Sequence, residues 1–181
     1  QRKFARARRT KMIKKSPILL DTCILSNLLS KEIDLAKKTK ELLEALYKEN
    51  NTLYISEFSI YELLRGANDS QKKKANSVLN IFEIVPHNTA RLKRAIALHN
   101  GYNSTPRIKS SLHSISDVDV FIGSLIFTDQ NPYLLTADFF DFPRPFFNEK
   151  QIWNIDFEKR KGNRTCIHYY LLQANLDSLF K

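Results

Sequence analysis

Four carboxylates, Asp21, Glu62, Asp119 and Asp138, stand where an acid is out of keeping with its neighbours. Asp21 ends the apolar run Pro17-Ile18-Leu19-Leu20, and Asp138 comes just after Tyr133-Leu134-Leu135-Thr136. Glu62 is embedded in Phe58-Ser59-Ile60-Tyr61-Glu62-Leu63-Leu64, and Asp119 precedes Val120-Phe121-Ile122. A charge among bulky apolar residues is seldom left without a partner. If the four converge, two like charges about 4 Å apart repel by roughly 4 kcal/mol at an effective dielectric near 20. Such a cluster is tenable only with bound cations or raised pKa values. All-oxygen ligand sets select Mg²⁺ or Mn²⁺ over zinc or copper, and no His or Cys is expected beside these four. Each acid also has a local alternative. Asp21 can cap the helix that follows it, Ser116 and Asp119 have capping-box spacing, and Glu62 can pair in solvent with Arg65 at i,i+3.

The elements that must position these acids alternate between strand and helix. Residues 17–20 lack polar alternation, as a strand covered on both faces does, and 24–29 read as the helix after it. Residues 33–50 form an amphipathic helix with Leu35, Leu42, Leu43 and Leu46 on one stripe. A second strand is predicted at 52–55, then a helix at 57–65 capped by Ser56 and stopped by Gly66. A helix from 69 to 82 leads to a third strand at 82–85. A helix over 89–99 is expected to end at Gly101, and 102–115 to be a basic loop carrying at most a short helix. The helix from Ser116 is apolar around most of its circumference, so it must be deeply packed, and a strand follows at 133–136. Parallel strands with right-handed crossovers bring every strand C-terminus to one edge, and the acids with them. Ligands bind at that edge in such sheets. Asp117 and Asp129 are expected outside the cluster.

Composition bounds the rest. A chain of 181 residues is expected to be one domain with a core of its own. The two cysteines, Cys23 and Cys166, have neither disulfide-framework nor zinc spacing, so a cytoplasmic setting is the default. No apolar run approaches the roughly 18 to 20 residues of a membrane span, nor is there a signal core, which predicts a soluble, unexported protein with no membrane partner. The net charge of +10 suggests a polyanionic partner, but six of the cations fall in residues 1–11, which hold no acid. Because Met12 follows, 1–11 are expected to be a disordered or non-native extension, with a basic arm gripping phosphates as the competing reading.

Leu20-Asp21-Thr22, Tyr54-Ile55-Ser56 through Tyr61-Glu62-Leu63-Leu64-Arg65-Gly66, Asp119-Val120-Phe121-Ile122-Gly123-Ser124, and Leu135-Thr136-Ala137-Asp138 with Asp141-Phe142 resemble the successive motifs of PIN-domain ribonucleases, particularly the VapC type of toxin–antitoxin toxin. The resemblance spans residues 16–145 and implies a three-layer α/β/α fold around a central, mainly parallel sheet. It implies a Mg²⁺- or Mn²⁺-dependent endoribonuclease in which Asp21, Glu62, Asp119 and Asp138 are the catalytic, metal-site acids. Thr136 would be a polar companion and Asp141 a candidate fifth metal ligand. It further implies an RNA substrate, a cognate antitoxin and a homodimer. Gly123-Ser124 departs from the family, where two alanines are common, and the chain after 145 is unusually long. The nuclease domain is placed at 12–150 and an extension packed on it at 151–181, with strand-like 152–155 and 166–172 flanking the basic turn Lys159-Arg160-Lys161-Gly162-Asn163-Arg164. That turn reads equally as a solvated hairpin or as an RNA contact.

The alternatives are a housekeeping RNA-processing PIN nuclease and a non-catalytic nucleic-acid-binding module on the same fold. A phosphotransferase with Asp21 as nucleophile is discounted, because Cys23 stands where a second acid would be wanted.

Overall fold

Two short apolar strands, β1 (Pro17–Leu20) and β4 (Tyr133–Thr136), form the centre of the sheet. The computed structural model describes residues 16–109 and 115–179, so the expectations for residues 1–11 fall outside the described residues. Around the centre lie β2 (Thr52–Ser56), β3 (Glu83–Val85), β5 (Phe147–Glu158) and β6 (Arg164–Ala174), in the order β3-β2-β1-β4-β6-β5. The first four strands are mutually parallel, whereas β6 runs antiparallel to β4 and β5 antiparallel to β6. The sheet is therefore mainly parallel, with a hairpin completing one side.

Helices cover both faces. One face carries α1 (Thr22–Leu28), α2 (Ile33–Lys48) and α4 (Asp69–Leu79), joined by part of α3 (Glu57–Arg65). Their buried residues Leu25, Leu43 and Leu79 meet Ile18, Leu20, Ile55 and Leu135 of the strands. The other face carries α5 (Thr89–Ser104), α6 (Pro106–Lys109) and α7 (Asp117–Ser124), with α8 (Leu176–Leu179) at the end of the described chain. There Leu98, Tyr102 and Ile122 pack with Leu19, Leu134 and Leu172. Leu19 faces one layer and Leu20 the other, which is why these strands show no apolar–polar alternation: both faces are core.

Two local expectations are corrected. Gly101 does not end a helix but lies within α5, because the buried Phe146 ring presses on it; a Cβ there would meet Phe146 Cε1 and Cζ at 2.8 Å. α5 consequently carries Tyr102 into the core, where its ring meets Phe146 at 5.1 Å. The two strands of the tail are also longer than the apolar runs suggested. β5 and β6 pair from Phe147↔Ala174 to Glu158↔Arg164, although every second residue on one face is polar.

Candidate acidic site

β1 and β4 run side by side with Leu20 opposite Leu135, so the residues that leave them emerge together. Asp21 N donates to Leu135 O at 3.0 Å, and Thr136 Oγ1 donates to Asp21 Oδ2 at 2.6 Å. Asp21 also caps α1, its Oδ1 accepting from Thr22 N at 2.6 Å. The local role and the site role therefore coexist. Only 3% of Asp21 is exposed. Burial is the main reason its carboxyl is pushed up to about 6, Asp119 adding to the rise while hydrogen bonds from Thr136, Cys23 and the Thr22 amide oppose it.

Cys23 corrects the expectation that no His or Cys stands near the acids. Its Sγ donates to Asp21 Oδ2 at 3.0 Å, accepts from Ala137 N at 3.1 Å and lies 3.5 Å from Thr136 Oγ1. Burial, and then the Asp21 charge, push this thiol well above its ordinary range. Spacing alone would have found it, since the first turn of a helix capped by Asp21 must return residue 23 toward the cap.

Glu62 is half-buried on α3 and accepts a 2.7 Å hydrogen bond from Thr22 Oγ1, the residue after Asp21. Arg65, its proposed solvent partner, is exposed at the end of the same helix. Asp119 occupies the third position of α7 in a capping box: its amide donates to Ser116 Oγ at 3.2 Å, and its Oδ2 accepts from Ser116 N at 3.2 Å and from Ser116 Oγ at 2.6 Å. Asp138 is exposed and caps the single 3-10 turn Phe139–Asp141 through Phe140 N at 3.2 Å, while its own amide donates to Thr136 Oγ1 at 2.9 Å.

Asp141, the candidate fifth acid, carries the larger perturbation. Partial burial, then the charges of Asp119, Asp138 and Asp21, and finally a hydrogen bond with Asp138 push it up to about 7. Asp141 thus feels the charges of Asp119, Asp138 and Asp21, and Asp21 feels that of Asp119, while Glu62 is tied to Asp21's neighbour Thr22 by a hydrogen bond. Tyr102 belongs to the same neighbourhood and escaped sequence reading, because Gly101 had placed it in a loop. Its hydroxyl is buried without a hydrogen-bond partner among the described residues, and burial, followed by Asp119 and Asp141, raises its pKa well above the usual value. Asp117 instead lines a cavity of about 250 Å³ with Ile96, His99 and Phe121, and Asp129 is exposed.

The donor chemistry fits a hard cation, being carboxylate oxygens whose mutual repulsion a positive ion would relieve. Among the described residues no group of three or more His, Cys, Asp or Glu side chains is closed around one metal position.

The family model for the PIN domain matches residues 18–139, a span that includes Asp21, Glu62, Asp119 and Asp138 and stops before Asp141 and the β5–β6 hairpin. Among solved structures, the chain is similar to one in the crystal structure of VapBC2 from Rickettsia felis bound to a DNA fragment from their promoter. That likeness has 23% identity and a TM-score of 0.45, over 60% of this chain and 78% of the other. No curated protein matches.

Proposed function

The chain belongs to the PIN-domain family, and on that premise we propose that it is a Mg²⁺- or Mn²⁺-dependent endoribonuclease that hydrolyses RNA phosphodiester bonds. PIN domains are generally nucleases that use divalent metal ions. The observation that carries the reading for this chain is that Asp21 and Asp141 are both raised at the sheet edge, first by burial and then by neighbouring carboxylates, Asp119 for both and also Asp138 and Asp21 for Asp141. Carboxyls whose charged form is disfavoured by burial and by like-charged neighbours are poorly suited to a structural role and well suited to a cation.

In this reading Asp21, Asp119 and Asp138 are the metal-site acids, with Glu62 beside them and Asp141 the fifth. A bound divalent cation supplies charge stabilisation at the phosphoryl group and a more acidic water. The chain's own contribution is placement. Thr136 and Cys23 fix Asp21 Oδ2 between the ends of β1 and β4, and Thr22 fixes Glu62 Oε2. In the metal-free protein Asp141 holds or releases its carboxyl proton near neutrality.

The proposal extends to a cytoplasmic toxin restrained by an antitoxin, in a homodimeric assembly. Among the described residues no helix is long and apolar enough to cross a membrane. A pocket of carboxylates is a ready receptor for an Arg or Lys of a partner, whose charge replaces that of the cation. The test is cleavage of end-labelled RNA with Mn²⁺, stopped by EDTA and absent in Asp21→Asn. Growth arrest on expression alone, relieved by a co-purifying partner, supports the toxin; cleavage without arrest would favour a housekeeping RNA-processing nuclease, and RNA binding without cleavage a non-catalytic module.

A further inference from the structure

The β5–β6 hairpin lies beyond the span matched by the family model and projects past the acids. Thr136, the last residue of β4, pairs with Tyr170, so the segment from Tyr170 back to Arg164 continues beyond the sheet edge. Six residues at about 3.3 Å each carry it roughly 20 Å farther. One face of this ribbon is occupied: Tyr169 bonds Thr39 of α2 at 2.7 Å, and Trp153, Ile155 and Ile167 pack into the core on that side. The opposite face is open. It presents Arg164, Cys166 and His168, all exposed, and then the half-buried Tyr170.

That open face begins at the acidic site. The Tyr170 ring lies 5.2 Å from Phe139 of the turn that holds Asp138 and Asp141, and the His168 ring lies 6.3 Å from Tyr170. The Arg144 guanidinium lies over the Phe139 ring, 5.6 Å from its centre. Next to Phe139, Phe140 is 85% exposed, a large apolar ring left in water between two carboxylates of the site. At its far end the ribbon closes in a turn bearing Lys159, Arg160, Lys161 and Arg164; three acids stand beside these four cations, Glu158 of the ribbon itself and, from the start of α2, Glu32 and Asp34, which accept from Arg160 N at 2.7 Å and Glu158 N at 2.9 Å. Asp156 and Glu158 share the open face, opposite Cys166 and Arg164, so attraction for an anion is concentrated at the turn rather than spread along the ribbon.

Exposed rings near one end and a cluster of cations at the other are the two elements with which proteins hold single-stranded nucleic acid: bases stack on the rings and phosphates follow the charge. We infer that the open face of the β5–β6 hairpin is a track for single-stranded RNA, its bases stacking at Phe140 and beside Tyr170 and its phosphates held by the Lys159–Arg164 turn. The inference rests on the nuclease reading for its polarity, because the strand would run from the track into the acids.

The experiment uses the full chain and a fluorescent single-stranded RNA long enough to span site and turn, with EDTA present so that binding is read without cleavage. The triple substitution Lys159→Ala, Lys161→Ala and Arg164→Ala lies in an exposed turn outside the acidic site. It is expected to raise the Kd about tenfold and to make the log–log salt dependence shallower by about 2. Phe140→Ala is expected to weaken binding about fivefold or more while leaving affinity for duplex RNA unchanged. With Mn²⁺, the triple variant should cleave a short oligonucleotide, too short to reach the turn, as the parent does. Unchanged affinity and salt slope in the triple variant overturn the track while leaving the nuclease reading intact. Loss of affinity in a protein that cleaves nothing with any divalent cation upholds the track and removes the nuclease.

Discussion

Thr22 Oγ1 donates to Glu62 Oε2 across 2.7 Å, tying the turn that follows β1 to the middle of α3. Glu62 is therefore placed by a residue adjacent in sequence to Asp21, so that one short segment positions two acids contributed by different elements. Thr22→Val preserves shape and removes the donor. It should lower stability by about 1–2 kcal/mol, as a half-buried carboxylate loses its partner, and weaken Mn²⁺ binding, whereas Thr22→Ser should restore both. Urea titration and calorimetric Mn²⁺ titration check the pair; equal metal affinity in the Val and Ser variants would remove Glu62 from the site.

Asp21→Asn and Asp119→Asn should each abolish RNA cleavage without unfolding the protein. For Asp21 the metal-free fold should become more stable at neutral pH. Its rise from 3.8 to about 6 corresponds to a charge penalty of about 3 kcal/mol at most, from which the amide gives back ~1 kcal/mol through a mismatched bond to Thr22 N or Thr136 Oγ1. Thermal melting in EDTA reads the gain, and melting below the parent would contradict a charge penalty from burial at Asp21.

Asp21 and Asp141 both bind protons more tightly in the folded chain than in the unfolded one. Stability from such groups is fully present below their ordinary values and is lost as pH rises through about 6 and about 7. The metal-free protein should accordingly melt higher at about pH 5 than at about pH 8. Asp34 and His87 act in the opposite sense: Asp34, lowered by the Glu158 amide and then by Lys38, only at more acid pH, and His87, lowered by burial, as pH falls below its ordinary value. Added Mn²⁺ should displace protons and reverse the trend, so a melting curve independent of pH in EDTA would refute the coupling.

Cys166 is exposed on the hairpin, whereas Cys23 is enclosed by Asp21, Thr136 and the Ala137 amide with its thiol held protonated. Iodoacetamide at about pH 8 should label Cys166 in the folded protein and reach Cys23 only after denaturation. Peptide mass analysis gives the answer, and early labelling of Cys23 would show that the pocket around Asp21 opens.

Gly101→Ala sets two effects against each other. Alanine favours helix over glycine by up to about 1 kcal/mol. The new methyl would press on Phe146, which is itself buried and packed on Tyr102, at a cost of about 1–3 kcal/mol. The clash should prevail and lower the melting temperature; a rise would mean that Phe146 has room to turn.

Much of this arrangement is legible in the chain. The unalternating runs at 17–20 and 133–136 identify central strands, because only a strand with core on both faces dispenses with polar residues. The acid after each run and the capping-box spacing of Ser116 and Asp119 are equally explicit. Gly101 misleads because helix propensity is local, while its reason for being glycine is a ring 45 residues away in sequence. Cys23 is missed when cysteine is judged by its spacing to other cysteines rather than by its distance from a helix cap. The reach of β5 and β6 is hidden because one face of the hairpin is solvated, and apolar runs register only the face that packs on α2.

The sheet order has a consequence for how the protein emerges from a ribosome. Asp21 acquires its hydrogen bond from a residue 115 positions later, and β4 itself is flanked on its far side by β6, with Leu135 opposite Leu171. Until residues near 171 have been synthesised, β4 has an open edge and the acids lack a settled pocket. The surroundings of Asp21 therefore settle late in folding, since they depend on strands 115 and about 150 positions farther along the chain.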